Sequence, residues 1–514
     1  MKLASARIRM FRNIIDSGQI DFEPDVTCLI GKNESGKTAV LQALHRENPA
    51  PLPSAFDAFE DYPRWKYVED RRGDVIAQTR PIECVFDLEG DDVSAVIDEL
   101  GPRVLRSRKI QRSVNYAGEA FIAFDVDEAA ALSNYLDNAH ISDELKSLIK
   151  PGSGPENVAN GTAFGDQVND TNRAEVDALA NQIALKFQNG SAWTLAKNIL
   201  KRRLPVFFYF GQYEILPGRI DLRQLFAGDQ APGQSGLQAA RALLRLAGAD
   251  RDVLTADEFE QRKAELEAVS AKISREVFRY WTQNDSLLVE IDADTTSSAD
   301  PAHAGVLRYL DVRVRDGRHG YSSNFAQRSS GFQWFFSFLA AFSEFQDKGH
   351  GVIVLLDEPA LNLHGQAQTD FMRFINERLG AHSQVVYATH SPFMVDPSHL
   401  ERVRVIEDNG VEVGSVVSDD IAAAGTDSLL PIRAAVGHDI AANLSLGPND
   451  EVIEGTSDLS SMQRMRTHLL TADDREPVKA RRRSSEGGWR FWTSDGWWNF
   501  WEKAGLVTRS KSRR

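Results

Sequence analysis

The chain has 514 residues and a formal net charge of −15, with 42% hydrophobic and 26% charged residues. That length exceeds one ordinary core, so several globular domains are expected. No stretch reaches the ~18–20 continuous apolar residues of a bilayer-spanning helix, and the start, Met1 to Arg9, lacks the apolar core of a secretory leader. Cys28 and Cys84, the two cysteines, each sit in an apolar strand-like run. Buried thiols in a reducing cytoplasm are therefore expected, and no metal or disulfide framework. The acidic balance opposes nonspecific attraction to nucleic acid, so DNA contact would fall to local basic clusters. Arg103, Arg106, Arg108, Lys109 and Arg112 form one, and Lys201-Arg202-Arg203 another. Each reads either as a DNA contact or as a solvated face.

In chain order, Ile8–Phe11, Ile20–Phe22 and Val26–Ile30 read as strands. The third feeds Gly31-Lys32-Asn33-Glu34-Ser35-Gly36-Lys37-Thr38, which fits G-x-x-x-x-G-K-[ST] at every position. Val40, Leu41 and Leu44 share one helical face, so a helix opens near Lys37. Strand, glycine-rich loop and helix together make a phosphate cradle in which backbone N–H groups face the phosphates. Lys37 would reach the β- and γ-phosphates of ATP, and Thr38 would ligate Mg²⁺. Pro49 to Pro53 breaks the helix, and Ile82–Leu88 alternates as a further strand that would complete a lobe near residue 90.

From about residue 91 to 290 the character is mainly helical, without a catalytic pattern. Glu175–Leu200 and Gly236–Ala247 read as helical, with Leu204–Phe210 a buried strand between them. Ala256 to about Trp281 is the best-specified helix. Thr255 and Glu258 form a capping box, and Phe259, Leu266, Ile273 and Tyr280 recur every seven residues. That seam suits an intramolecular bundle or a dimer contact. Pro151–Pro155 and Asp292–Ala304 read as loops.

Beyond residue 305 strand–helix alternation returns. Val352–Leu356 is a continuous apolar run ending in Asp357 and Glu358, as for a strand covered on both faces whose carboxylates emerge at its C-terminal edge. Asp357 would hold Mg²⁺, and Glu358 would orient and deprotonate the attacking water. An amphipathic helix over Gly365–Leu379, stopped by Gly380, leads to a strand, Gln384–Thr389, that delivers His390. His390 reads either as a structural histidine or as a γ-phosphate contact. Upstream, Arg328-Ser329-Ser330-Gly331-Phe332-Gln333 opens a very apolar helix whose N-terminus suits a second phosphate, one bound to another copy.

In this order the elements resemble the ATPase heads of the ABC/SMC/RecF group, as Walker A, signature, Walker B and H-loop. Ser329–Gln333 resembles the signature, departing from it at Phe332. Ala360–His364 resembles the D-loop, and Phe11-Arg12-Asn13 the F-R-N/S element whose arginine, here Arg12, lies near nucleotide. The resemblance implies a head-to-head homodimer, or higher homo-oligomer, that sandwiches ATP between Gly31, Asn33, Ser35, Gly36, Lys37 and Thr38 of one copy and Ser330, Gly331 and Gln333 of the other.

Asp450–Asp458 delivers Glu-Gly-x-x-Asp from a strand, which resembles the first motif of the Toprim fold. An ATPase head with an insertion followed by Toprim is similar to the OLD (overcoming lysogenization defect) family of ATP-dependent endonucleases, a family associated with phage defence. This implies Glu454 and Asp458 as ligands of Mg²⁺ or Mn²⁺, with DNA as substrate and a second protein component as a possible partner. The Asp-x-Asp pair that Toprim needs downstream does not follow before Arg514. Instead Trp489, Trp492, Trp497, Trp498 and Trp501 crowd the end, with Arg481–Arg483 and Lys511–Arg514. Two readings stand: a changed reading frame, or a real Trp/Arg surface for nucleic acid or a partner. The expected fold is α/β: an ABC/SMC-like P-loop head (1–90 and 291–430) split by a mainly helical insertion (91–290). An incomplete Toprim-like segment (431–472) and an atypical tail (473–514) follow. The functional alternatives are an OLD-type ATPase nuclease and an ATP-gated DNA-binding switch of the RecF/SMC type. An ABC transporter motor is disfavoured by the long insertion.

Overall fold

A computed structural model describes residues 1–50, 55–139, 141–164, 168–188, 190–211, 215–226, 237–247, 286–297, 306–343, 351–361, 363, 365–421, 428–429 and 431–436, with parts of 263–275. The strands are β1 (Lys2–Phe11), β2 (Ile14–Asp21), β3 (Val26–Gly31), β4 (Pro49–Ala50), β5 (Ile82–Asp87), β6 (Lys109–Val114), β7 (Ala120–Ala123) and β8 (Val206–Phe210). They continue with β9 (Arg219–Asp221), β10 (Leu287–Ser297), β11 (Val306–Asp316), β12 (Tyr321–Asn324), β13 (Val352–Asp357), β14 (Gln384–Thr389), β15 (Val403–Asp408) and β16 (Ser415–Ser418). Four helices matter for the site and its support: α1 (Lys37–Glu47), α2 (Leu237–Ala247), α3 (Ser330–Ser343) and α4 (Gly365–Phe374).

The central sheet has seven strands in the order β16-β15-β3-β14-β13-β8-β4, and only β16 runs antiparallel to its neighbour. Its middle strands are buried on both faces and mostly apolar, with Thr27, Gln384 and Thr389 buried among them, where a strictly alternating strand would expose one face. Successive residues serve opposite cores: Phe208, Phe210, Val354 and Leu356 point to one, Phe207, Ile353 and Leu355 to the other. On the first side Phe338 of α3 packs against Phe208, Phe210, Trp334, Phe371 and Phe374, so one helix fills that interface with rings. On the second side lie α1 and a five-stranded sheet ordered β2-β1-β5-β6-β7. Gln384 links the two sheets, its amide accepting from the Leu3 N–H and donating to the Leu3 and Glu23 carbonyls.

The structure departs from the sequence expectation in several places. The N-terminal sheet runs through β6 and β7, so a boundary at residue 90 would cut a sheet. The stretch 91–290 is not simply a helical insertion either, since β8 within it pairs with β13 of the central sheet. Glu175–Leu200 holds two helices, Arg173–Lys186 and Ala192–Arg203, separated at Ser191, which caps the second. The loop expected from Asp292 begins instead as β10, whose polar residues are carried by eleven-residue pairing with β11. Gly380 does not stop its helix. The chain passes through a π-helical turn (Ile375–Leu379) into Gly380–His382, and a Cβ at Gly380 would press on Val26 at 2.9 Å. Arg112, assigned to a basic cluster, is paired with buried Glu47. The Thr255/Glu258 capping box, the Ile273 and Tyr280 seam positions, Asn362 and His364, and everything beyond residue 436 lie outside the described residues. That last region includes Glu454, Asp458 and the tryptophan-rich tail.

Candidate nucleotide site

The Gly31–Thr38 loop leaves β3 at the C-terminal edge of the central sheet, where ligands bind in open α/β folds. Two of its residues are left-handed, Glu34 at φ 65° and Gly36 at φ 105°, the kind of turn backbone that builds anion-binding concavities. Gly36 tolerates that angle because it has no Cβ, while a Cβ at Gly31 would collide with the Ile406 carbonyl of β15. Helix α1 starts with no side-chain cap, so its first N–H groups are open to an acceptor. Ser35 Oγ is buried and has no hydrogen-bond partner, as expected of a cradle that awaits an anion. Lys37 is buried and donates to the Gly31 and Lys32 carbonyls at 3.0 and 2.9 Å. Burial pulls its ammonium below the usual lysine range, and Glu358 and Asp357 oppose that shift.

The second half of the site comes from β13 and β14, as the sequence order required. Thr38 Oγ1 donates to Asp357 Oδ1 at 3.1 Å, although 319 positions separate the two residues. Tyr209 of β8 donates to the other oxygen, Oδ2, at 2.8 Å. Burial raises the Asp357 carboxyl above its ordinary range, and these two hydroxyls counter it. Glu358 sits at φ 47°, a strained angle for a residue with a Cβ. Its N–H donates to the Ala388 carbonyl at 3.0 Å, and its carboxylate lies 3.8 Å from Lys37 Nζ and 2.8 Å from His390 Nδ1. A hydroxyl beside a carboxylate is a hard-oxygen pair of the kind Mg²⁺ selects, so the residues present fit a Mg²⁺–nucleotide complex. Among the described residues no group of three or more His, Cys, Asp or Glu side chains could hold a metal by itself.

Not every candidate converges. Gln333 donates through its amide to the Phe325, Ala326 and Arg328 carbonyls, which makes it a brace for the turn before α3. Phe332, the departure from the signature pattern, is buried against Phe325 and Phe336, while Ser330 is exposed at the tip of α3. Arg12 takes φ 53° and meets fully buried Asp61 with Arg46. Asn13 donates to the Glu34 carbonyl of the loop at 3.3 Å and to Ser415 at 2.8 Å. Asn33 is exposed. Gln368 of α4 joins the D-loop to the His390 turn, donating to Ala360 and Leu363 and accepting from Ser391 Oγ at 2.6 Å.

Tyr209, which meets Asp357, and Ser415, which meets Asn13, are contacts that motif reading missed. Only Tyr209 carried a local signal: one hydroxyl in the run Val206-Phe207-Phe208-Tyr209-Phe210 demands a polar partner once buried.

A family model described as "AAA domain, putative AbiEii toxin, Type IV TA system" matches residues 82–396, and an AAA ATPase domain model matches residues 1–59. No curated protein matches the chain. Among solved structures it is similar to an SMC head bound to the C-winged helix domain of ScpA, at 12% identity over 81% of this chain and 98% of that one, TM-score 0.38. The SMC head domain from Thermotoga maritima matches at 13% over 81% and 98%, TM-score 0.32. An Smc head with an extended coiled coil, bound to the C-terminal domain of ScpA derived from Pyrococcus furiosus, matches at 13% over 81% and 96%, TM-score 0.35. No helix among the described residues is long and apolar enough to cross a membrane.

Proposed function

This chain belongs to the AAA-domain family whose model spans residues 82–396, and on that premise we propose that it is an ATP hydrolase whose copies pair around nucleotide, an OLD-type protein that couples this cycle to DNA. The observation that carries the reading is the meeting of Lys37 and Thr38, at the start of α1, with Asp357, Glu358 and His390, at the ends of β13 and β14, at one sheet edge.

In this reading Gly31, Asn33, Ser35 and Gly36 wrap the phosphates with N–H groups, and Lys37 turns its ammonium from the loop carbonyls to the β- and γ-phosphates. Thr38 and Asp357 would hold Mg²⁺, which when bound would supply charge neutralisation at the phosphate oxygens. Glu358 accepts a proton from water, the water oxygen bonds to the γ-phosphorus, and the bond to the bridging β–γ oxygen breaks to give ADP and phosphate. His390 fixes the Glu358 carboxylate and faces the γ-phosphate. Arg12 stands beside the loop, and Ser330 and Gly331 of a second copy close the site, with Gln333 bracing their turn rather than touching nucleotide. Glu454 and Asp458 belong to the Toprim-like metal site, with DNA as substrate and a second protein component as partner, in the cytoplasm.

Two measurements test this. Lys37→Ala should abolish ATP hydrolysis, and unchanged turnover would remove the assignment. Incubation with plasmid DNA and Mg²⁺ or Mn²⁺ should give cutting that Glu454→Ala loses. The competing reading is an ATP-gated DNA-binding switch of the RecF/SMC type. ATP-dependent DNA binding without cutting would select it.

A further inference from the structure

Asp357 has both oxygens engaged, and by groups of different standing. Oδ1 accepts from Thr38, itself a proposed metal ligand whose hydroxyl can turn toward the ion. Oδ2 accepts from Tyr209, which lies on β8, the neighbour of β13, in register with Leu355. Tyr209 is held from several sides. Its ring packs near His45 of α1 at 5.7 Å, and a Cβ at Gly211 would stand 3.2 Å from its hydroxyl. The apolar sheet holds the strand beneath it on both faces, so the hydroxyl has little freedom to leave.

We propose that Tyr209 is a positioning residue that keeps one oxygen of Asp357 occupied, so that the carboxylate offers the metal a single ligand atom and the site selects Mg²⁺ over Ca²⁺. The reasoning is chemical. Mg²⁺ demands six ligands in near-ideal octahedral geometry and takes carboxylates through one oxygen, whereas Ca²⁺ accepts six to eight ligands and often a bidentate carboxylate. A hydrogen bond held on the second oxygen fixes the carboxylate's orientation and competes with bidentate ligation. Hydrogen bonds to a ligating carboxylate from outside the ligand set are a general means of fixing its orientation, and their loss typically changes metal affinity about 10–100-fold. The inference rests on the ATPase reading above for the presence of the metal, and on the Tyr209–Asp357 geometry for its selectivity.

The test compares the full-length protein with Tyr209→Phe, which removes the hydroxyl and keeps the ring. Binding of a fluorescent mant-ATP is measured in EDTA, then during titration with Mg²⁺ or with Ca²⁺, and hydrolysis is not read. The Mg²⁺ concentration for half effect should rise roughly tenfold or more in Tyr209→Phe, while that for Ca²⁺ stays or falls and affinity in EDTA is unchanged. Gly211→Ala, which crowds the hydroxyl from above, should shift the ratio in the same direction. Equal shifts for both ions, no shift, or a loss of metal-free affinity would overturn the proposal. If wild-type binding responds to metal and the variant ratio does not move, only the role of Tyr209 falls. If wild-type binding ignores both ions, the ATPase reading falls with it.

Discussion

Glu358 and His390 are joined twice: Oε2 of the glutamate lies 2.8 Å from the imidazole Nδ1 and accepts the His390 backbone N–H at 3.2 Å. The same glutamate is held at a left-handed φ and tied through its own N–H to β14. Its carboxylate is thus aimed by three contacts with one strand end. A base so placed should matter for turnover far more than for binding. Glu358→Gln should lower ATP hydrolysis by about 10²–10⁴-fold while nucleotide affinity holds. His390→Ala should give a smaller loss with the same separation. Equal losses in affinity and turnover would show that these residues serve binding instead.

A shared site makes a prediction about mixtures. Lys37→Ala removes the phosphate cation of one half, and Ser330→Arg, at an exposed helix tip, obstructs the other half without disturbing the fold. Each variant alone should be inactive. Mixed copies would contain one site with both wild-type halves, so mixing should restore part of the hydrolysis. Inactive mixtures that still form mixed dimers would place the whole site in one copy.

Glu47 and Arg112 form an ion pair across the interface between α1 and β6, with the glutamate side chain wholly buried. Burial raises the Glu47 carboxyl and Arg112 opposes this, so each charge depends on the other. Glu47→Gln or Arg112→Met alone should cost about 3–5 kcal/mol in urea unfolding, and the double variant should cost much less than the sum. Additive losses would mean that the two side chains act independently.

His45, on the same helix, is pushed down to about 4 from the ordinary 6.5, chiefly by burial. The unfolded chain therefore takes up this proton at a higher pH than the folded one. Its contribution is fully present above pH 6.5 and is lost progressively as pH falls toward 4, by about 3 kcal/mol at most. His45→Phe should flatten the stability profile across that window, as followed by urea midpoints at fixed pH. An unchanged acid slope would show that other groups drive it.

The residues proposed to meet phosphate and metal were legible in the sequence because that chemistry fixes both residue type and local spacing. Lys37 and Thr38 lie beside each other, and Asp357 and Glu358 end one apolar run. What surrounds them was not legible. Tyr209 reaches Asp357 across 148 positions, and Arg112 reaches Glu47 across 65, because sheet order brings them together. Periodicity carries no information about which strands become neighbours. The same blindness explains Arg112: a sequence shows a cluster of positive residues but not the carboxylate that faces one of them. The loop expected at Asp292 failed for a related reason. Polar residues such as Asp292 and Asp294 suit a turn locally, but pairing with β11 outweighs that local preference.

β3, which carries the phosphate loop, pairs only with β14 and β15 within the central sheet, so residues 26–31 find their strand partners at 385–389 and 403–406. During synthesis the Gly31–Thr38 motif therefore emerges early and waits for most of the chain before it has a sheet to stand on. A nascent or truncated chain ending before Gln384 carries the complete motif and lacks the support that shapes it. Nucleotide capture thus arrives late in assembly and reports that the two distant halves of the head have met.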